Sequence, residues 1–352
     1  MIESVLYDKL AGNKVRCNVC AVRCIIPDGK DGVCRTRLNK GGVLYSLIYN
    51  RVSAVAADPI EKKPLYHFYP ATTVLSLGTV GCNFRCPGCQ NWQISHADAD
   101  EKGTGTTELK VEDTLALMKE YDCQGICWTY NDPTIWLEYT VDCAKLAKAH
   151  GFYTAYITNG YTTPEALDLI GPYLDAFRVD LKAATPATYT KIAGLGKLEK
   201  IIEMTARAKD RWGMHVECVT NVTPTINDSP GELRQIARTI KTHLGAETPW
   251  HLTRFYPYLD LSHLPPTPIS KLEQTREIGL EEGLQYVYIG NVPGHPWENT
   301  YCHHCHRMLI LRDGFRVIEN RILDGRCPDC GTVIPGRFVH EKAQHHYQDA
   351  RA

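Results

Sequence analysis

The chain has 352 residues, of which 43% are hydrophobic and 22% are charged, and its 39 Lys and Arg residues nearly balance its 40 Asp and Glu residues. This composition is typical of an ordinary globular protein, so it excludes a disordered, collagen-like or coiled-coil chain and gives no overall charge that would attract nucleic acid or an anionic membrane. No apolar run approaches the roughly 18 residues of a membrane-spanning helix, and the acidic start lacks a secretory signal pattern, so we expect a cytoplasmic protein without membrane contact.

Cysteine usage is the most informative feature of the composition. The chain contains 15 cysteines, and eleven of them fall into three tight groups. Because the cytoplasm keeps thiols reduced, clustered C-x-x-C pairs in a long chain indicate metal binding rather than disulfides. The other four, Cys123, Cys127, Cys143 and Cys218, lie in apolar stretches, and we expect them to be buried.

The first cysteine group lies in residues 1–70, a segment without long helical periodicity. It consists of Cys17, Cys20, Cys24 and Cys34. Four thiolates can hold a structural zinc ion or an auxiliary iron-sulfur cluster, and the spacing leaves both open. A segment of this length buries little surface by itself, so we expect a small appendage whose fold depends on its metal.

Residues 71–291 alternate short β-rich runs with longer segments of helical period. We predict strands at 73–77, 125–129, 152–157, 176–181, 215–219, 250–255 and 285–289. This alternation predicts an α/β fold with a parallel sheet, in the form of a partial or full (β/α) barrel. A doubly wound open sheet is the alternative.

The second cysteine group follows the first predicted barrel strand. Cys82, Cys86 and Cys89 have the spacing C-x3-C-x2-C, and loops at the C-terminal ends of barrel strands carry the chemistry of barrel enzymes. Three thiolates can hold three irons of a 4Fe-4S cluster and leave the fourth iron open to a substrate, whereas a structural site closes itself with four ligands. A three-cysteine zinc site or an accidental cluster is the alternative.

Polar residues also follow the next predicted strands, and these strand ends should meet at one barrel mouth. Asp180 and Lys182 share one face of their strand, because side chains alternate along a strand; a surface ion pair is the alternative for them. Gly160 allows a close backbone approach in a turn. The candidates in chain order are Tyr130, Asn131, Asp132, Pro133, Thr158, Asn159, Gly160, Asp180 and Lys182, with Glu217, Asn221, His251 and Arg254 as weaker ones.

The third cysteine group lies in residues 292–340. The pairs Cys302-x2-Cys305 and Cys327-x2-Cys330 have the spacing of two zinc knuckles, so we predict a zinc-ribbon-like module; a rubredoxin-like single iron is the alternative. The neighbouring histidines are expected to be exposed. Residues 341–352 read as a polar tail.

Five ordered motifs carry a family resemblance: GCNFRCPGCQNW, TYNDPTIWLEY, AYITNGY, VDLK and TPTINDSP. Together they resemble the radical S-adenosylmethionine (radical SAM) superfamily, in particular its pyruvate formate-lyase activating enzyme-like branch and the radical SAM enzyme of the AmmeMemoRadiSam system. Two residues depart from the family pattern. Gly88 stands where an aromatic residue is frequent, and Asp132 stands where Glu is expected.

The resemblance implies a 4Fe-4S cluster and S-adenosylmethionine (SAM) as cofactors. It implies that the segment of Asn131 and Asp132 holds the ammonium group of SAM, with the turn of Thr158, Asn159 and Gly160 beside it. It also implies that Lys182 binds the carboxylate of SAM, that Asp180 binds a ribose hydroxyl or a monovalent cation, and that His251 contacts the nucleoside.

The reaction implied by the resemblance is reductive cleavage of SAM to methionine and a 5'-deoxyadenosyl radical. The radical would take a hydrogen atom from a small molecule or a modest partner protein, with electrons from a flavodoxin or ferredoxin-type reductant. The family association implies a pathway shared with Memo-like and AMMECR-like proteins. One alternative is a glycyl-radical enzyme activase, and another is a metal-held module that binds protein or nucleic acid, which the near-neutral charge disfavours.

Overall fold

The computed structural model describes residues 1–99, 105–195 and 197–339, so the predicted tail at 341–352 lies outside the described residues. Seven short strands precede the main sheet. β1, β6 and β5 form one antiparallel sheet, and β2, β3 and β4 form another. The strands are β1 (Ile2–Glu3), β2 (Tyr7–Lys9), β3 (Val15–Cys17), β4 (Ile25–Ile26), β5 (Arg37–Lys40), β6 (Val43–Ser46) and β7 (Arg51–Val52).

The main sheet contains all seven strands predicted from the sequence. The strands of this region are β8 (Ala54–Pro59), β9 (Thr73–Gly78), β10 (Thr107–Glu108), β11 (Gly125–Trp128), β12 (Tyr153–Thr158), β13 (Ala176–Asp180), β14 (His215–Val222), β15 (Trp250–Arg254) and β16 (Val287–Gly290). Strand β10 pairs with β7, and the other eight form one sheet in which β8 is antiparallel to β9 and the rest are parallel. The edge strand β8 is an addition that the sequence did not predict.

The order of the strands decides between the two predicted architectures. From edge to edge it runs β16, β15, β14, β13, β12, β11, β9, β8, without a reversal. Right-handed crossovers in an unbroken order place the helices on one face, whereas a doubly wound sheet reverses its order at a switch point. Among the described residues β8 and β16 are not paired with each other, so the sheet is a partial (β/α) barrel.

Helices fill the connections between the parallel strands. They are α1 (Trp92–Ser95), α2 (Val111–Glu120), α3 (Leu137–Ala149), α4 (Pro164–Ile170), α5 (Pro186–Ala193), α6 (Leu198–Asp210), α7 (Pro230–Leu244) and α8 (Ile269–Glu281). Three of them begin in the same way: the side chains of Thr163, Thr185 and Ser229 accept a backbone N–H bond at the start of α4, α5 and α7, each followed by Pro. Within the described residues, each helix is too short or too polar to span a bilayer.

The C-terminal segment packs against the end of the barrel where the parallel strands begin. It contains an antiparallel sheet of β17 (Thr300–Tyr301), β18 (Met308–Asp313) and β19 (Arg316–Asn320). The buried Arg312 donates to the Tyr66 carbonyl oxygen at 3.0 Å, and its guanidinium lies 4.1 Å from the centre of the Tyr66 ring. This contact holds the C-terminal module away from the opposite end, where the strands finish.

Candidate functional site

A cavity of about 450 Å³ lies at the C-terminal ends of the barrel strands. Its wall brings together most of the residues that the sequence singled out: Cys82, Cys86, Cys89, Tyr130, Asn131, Asp132, Thr158, Asn159, Asp180, Lys182 and Asn221. These residues come from the loops after β9 and β11, from the ends of β12, β13 and β14, and from positions just after β12 and β13. The geometry therefore agrees with the expectation that polar strand ends meet at one mouth.

The loop with the central cysteines is held in place by Asn131. The Asn131 side-chain oxygen accepts from the Thr79 backbone N–H at 3.2 Å, and its nitrogen donates to the Gly81 carbonyl oxygen at 2.7 Å. Both polar atoms of the amide are thus used on the backbone just before Cys82. Asn131 acts on the loop that carries the thiols, a role that its place in the sequence did not reveal.

The central thiols fit an iron-sulfur cluster better than a single ion. A tetrahedral zinc ion with Zn–S bonds of about 2.3 Å places its sulfurs roughly 3.8 Å apart. The sulfurs of Cys82, Cys86 and Cys89 do not all lie within 4.8 Å of one another in the described chain, whereas three thiolates on three separate irons require a wider spacing. Burial raises the pKa of Cys86 to about 11 against the opposing charge of Lys182, so bound metal would have to displace the thiol proton.

Asp132 connects the ends of β11 and β12. One carboxylate oxygen accepts from the Thr134 backbone N–H at 2.9 Å, and the other accepts from the Thr158 hydroxyl at 2.7 Å and from the Asn159 backbone N–H at 2.8 Å. Burial raises the pKa of Asp132, and these donors oppose the rise. The carboxylate lines the cavity, but its three hydrogen bonds come from protein groups and position the two loops.

The turn after β12 is also fixed from within the protein. The Asn159 amide donates to the Asn83 side-chain oxygen at 2.8 Å, which connects the turn to the residue beside Cys82. Gly160 has φ +72°, and a Cβ there would stand 2.8 Å from Val179 Cγ2. Gly160 does not line the cavity, so the glycine serves the turn and its packing rather than a close approach of a ligand.

Asp180 and Lys182 line the cavity and also form an ion pair, the alternative considered for them. The Lys182 Nζ lies 2.8 Å from one Asp180 oxygen, and Arg178 pairs with the other oxygen. Burial disfavours the charged carboxylate, but the two cations outweigh it and lower the pKa of Asp180 to about 2. Burial likewise opposes the charge of Lys182, but Asp180 and the nearby Cys86 thiol raise its pKa above the usual range. Both groups are therefore charged at neutral pH.

His251 lies away from the cavity, in contrast to its predicted position beside a nucleoside. Its Nε2 lies 2.6 Å from the buried Glu217 carboxylate, which also accepts the backbone N–H groups of Tyr66 and His67. The side chain of Thr253, two residues further along β15, lines the cavity instead. Two residues of a strand correspond to roughly 6.6 Å, so His251 belongs to a deeper layer of the barrel.

The space next to Gly88 is filled from another part of the chain. A Cβ on Gly88 would stand 2.9 Å from Leu261 Cδ1 and 3.4 Å from Phe255 Cε2, and both side chains line the cavity. The Asp260 backbone N–H donates to the Pro87 carbonyl oxygen at 2.9 Å, which fixes this contact. Sequence reasoning missed Phe255 and Leu261, although the glycine at position 88 was a signal that a neighbour replaces its side chain.

The C-terminal cysteines form a compact set. The sulfurs of Cys302, Cys305, Cys327 and Cys330 all lie within 4.8 Å of one another, with 3.7 Å between Cys302 and Cys330 and 3.6 Å between Cys305 and Cys327. These distances match the roughly 3.8 Å edge of a tetrahedral thiolate site. The set could therefore hold one metal ion.

Comparisons with known proteins agree with the site. A family profile for the Radical SAM superfamily matches residues 76–240. An uncharacterized protein of Methanocaldococcus jannaschii is 43% identical over 336 residues, which is 95% of this chain and 99% of that protein. The pyruvate formate-lyase-activating enzyme of Clostridium pasteurianum is 27% identical over 170 residues, covering 46% of this chain and 66% of the enzyme.

A radical SAM methyltransferase from Sphaerobacter thermophilus is a similar solved structure, with a TM-score of 0.49 and 15% identity over 64% of this chain and 68% of that one. The family match shows a radical SAM domain at residues 76–240. Such a domain implies a 4Fe-4S cluster and SAM as cofactors, and it implies an enzyme.

Proposed function

We propose that the chain is a radical SAM enzyme whose Cys82, Cys86 and Cys89 hold the 4Fe-4S cluster and whose cavity binds SAM. The observation that supports this is the opening of the three thiols into one cavity that is also lined by Lys182 and Asp180. When bound, the cluster and SAM together supply a 5'-deoxyadenosyl radical, which abstracts a hydrogen atom from the substrate.

Lys182 is the residue best placed to bind the carboxylate of SAM. Its ammonium group has three donors, and one of them is occupied by Asp180 at 2.8 Å. Asp180 in turn is held by Arg178, so the ammonium group has a fixed position at the cavity wall. Asp180 keeps a partly exposed carboxylate for a ribose hydroxyl or a monovalent cation.

Phe255 and Leu261 are proposed to contact the adenine. They occupy the space that an aromatic side chain at position 88 would need, beside Cys89. Flat apolar surface of this kind suits a purine ring. The same side chains exclude water from the part of the cavity next to the thiols.

The substrate is proposed to be a small molecule or a short segment of a partner. The cavity of about 450 Å³ is the size of a small-molecule site, and SAM takes up much of it, so the room left suits a small molecule or a short segment rather than a folded surface. The cations of the wall are already paired: Lys62 and Lys63 lie 2.8 Å and 2.6 Å from Asp58, and Arg178 and Lys182 pair with Asp180.

Replacement of Cys86 tests the proposal. The anaerobically reconstituted wild type, given SAM and a low-potential one-electron reductant, should produce 5'-deoxyadenosine, and Cys86→Ala should produce none. Cys123→Ala is the matched control, because this buried thiol lies outside the three groups and donates to the Tyr121 carbonyl oxygen at 3.9 Å. Full 5'-deoxyadenosine production by Cys86→Ala would refute the assignment.

A glycyl-radical enzyme activase is the second candidate function. The similarity to the pyruvate formate-lyase-activating enzyme of Clostridium pasteurianum favours it. The two additional cysteine groups favour a different partner or none. Co-incubation with a glycyl-radical enzyme, SAM and reductant should yield a glycyl-radical EPR signal if this chain is an activase, and no such signal if it acts on a small molecule.

Further parts of the proposal concern the surroundings of the enzyme. We place it in the AmmeMemoRadiSam group on the ordered motifs of the sequence, and with it in a pathway with Memo-like and AMMECR-like proteins. A cytoplasmic location is supported by the 15 free cysteines.

A flavodoxin or ferredoxin-type protein is proposed as the reductant. Zinc is proposed as the metal of the C-terminal cysteine set, and the sulfur spacing of that set supports it.

A further inference from the structure

The four N-terminal cysteines surround one enclosed space. Cys17 ends β3, Cys20 and Cys24 lie in the loop between β3 and β4, and Cys34 precedes β5. All four line the same cavity, whose remaining wall consists of the apolar side chains of Val19, Ile26, Val33 and Ile135 together with Gly32 and Arg37. The fold thus directs four thiols into one space, with Cys17, Cys20 and Cys34 buried and Cys24 half-buried.

The spacing of these sulfurs differs from that of the C-terminal set. In the described chain, no three of the four N-terminal sulfurs lie within 4.8 Å of one another, whereas all four C-terminal sulfurs do. A single tetrahedral ion requires sulfurs roughly 3.8 Å apart. The N-terminal set resembles the central set in this respect, and a wider spacing is what thiolates bound to separate irons require.

The surroundings of the N-terminal thiols suit a redox cluster. The Thr36 hydroxyl donates to the Cys34 sulfur at 3.1 Å, and hydrogen bonds to cluster sulfurs are one of the means by which a protein sets the reduction potential. Arg37, which is fully buried, lines the same space and is paired with Glu138 at 2.7 Å and 2.8 Å. Arg37 therefore places a positive charge, balanced by Glu138, next to the four thiolates.

The N-terminal set also lies directly against the central loop. A Cβ on Gly81, the residue before Cys82, would stand 2.5 Å from the Cys34 carbonyl oxygen. The Tyr161 carbonyl oxygen accepts from the Ala21 backbone N–H at 3.1 Å and from the Asn83 side chain at 3.3 Å. The neighbours of Cys20 and Cys82 therefore share one acceptor, so two short paths connect the two cysteine groups.

We propose that Cys17, Cys20, Cys24 and Cys34 bind a second 4Fe-4S cluster, which lies next to the central site and exchanges an electron with it. In this exchange one cluster is oxidised by one electron and the other is reduced by one, and no bond forms or breaks. The electron comes from an external low-potential one-electron donor. The inference concerns a second metal site and does not depend on which substrate the cavity takes.

Metal and sulfide analysis of the full chain after anaerobic reconstitution tests the proposal. The wild type should contain about eight irons and eight sulfides, and the triple variant Cys82→Ala, Cys86→Ala, Cys89→Ala should retain about four of each. Because this variant leaves the N-terminal thiols intact, its result does not depend on whether an N-terminal variant folds. Cys20→Ala with Cys24→Ala should lose about four irons, with Cys123→Ala as the control at the wild-type content.

Zinc at the N-terminal site would overturn the proposal. The wild type would then contain about four irons and two zinc ions, and the triple variant would contain no iron. A different outcome would separate the two proposals. If the triple variant keeps four irons but the wild type does not cleave SAM, the proposed function is refuted and the second cluster is supported. In the reduced wild type, EPR should show signals broadened by spin coupling, and the triple variant should give one uncoupled signal; two uncoupled signals in the wild type would refute the adjacency of the clusters.

Discussion

Asp132→Asn removes the carboxylate that connects the ends of β11 and β12. In the wild type this buried carboxylate accepts three hydrogen bonds, from Thr134, Thr158 and Asn159. The amide has one acceptor oxygen, so its nitrogen must face at least one backbone N–H or hydroxyl donor. The Thr158 hydroxyl can rotate to accept, whereas a backbone N–H cannot.

The expected loss of stability follows from these contacts. Two bonds that change from charged to neutral acceptors cost about 1 kcal/mol each, and one buried donor left without a partner costs about 1–3 kcal/mol. The lower desolvation cost of a neutral amide offsets part of this sum, because burial raises the pKa of Asp132 and so penalises its charged form. We expect a net loss of about 2–4 kcal/mol. With roughly 2.1 cal/mol/K of unfolding entropy per residue over 352 residues, this corresponds to a fall in Tm of about 3–5 °C.

Anaerobic thermal unfolding of the cofactor-loaded protein measures this effect. Asp142→Asn is the matched control, because the Asp142 carboxylate accepts one bond, from the Tyr49 hydroxyl at 2.7 Å, in a half-buried position. The control should lower Tm by about 2 °C or less. If Asp132→Asn lowers Tm no more than the control does, the proposed connection between the two strand ends is wrong.

The remaining predictions concern three other contacts. Gly81→Ala should lower Tm, because its methyl group would lie 2.5 Å from the Cys34 carbonyl oxygen. In the control Gly231→Ala the methyl group meets nothing within 4 Å, so Tm should stay the same or rise. Equal changes in Tm for the two variants would contradict the close approach of Gly81 to Cys34. Glu217→Gln should cost about 2–5 kcal/mol, read from the urea midpoint, because the buried carboxylate accepts from His251 and from two backbone N–H groups; an unchanged midpoint would show that these bonds carry no stability. Cys305→Ser should remove one zinc ion and leave the iron content unchanged, and a protein that keeps its zinc would exclude Cys305 as a ligand.

The barrel could be predicted from the sequence because its signals are local. Seven β-rich runs separated by helical segments gave every parallel strand of the sheet, and right-handed connections restricted the topology. The sequence could not show where the sheet stops, because closure depends on strand tilt and on pairing between distant strands. The antiparallel strand β8 was missed for a different reason: its sequence, AVAADP, is rich in Ala and ends in Pro, residues that are infrequent in strands.

The sequence predicted which residues lie at the site better than it predicted what each residue does there. The strand ends placed Asn131, Asp132, Asp180 and Lys182 at one cavity. However, the alternation along a strand shows which face a residue lies on and not how far along the barrel axis it lies. The sequence therefore could not show that His251 lies one layer below the cavity. The N-terminal segment was expected as a separate appendage, yet Cys34 contacts the central loop at Gly81.

The EPR response to SAM tests the central claim most directly. The reconstituted and reduced wild type should show a 4Fe-4S signal whose g-values change when SAM is added, because SAM reaches an iron that carries no protein ligand. The triple variant of Cys82, Cys86 and Cys89 should show no such change. A wild-type spectrum that is the same with and without SAM would contradict the account.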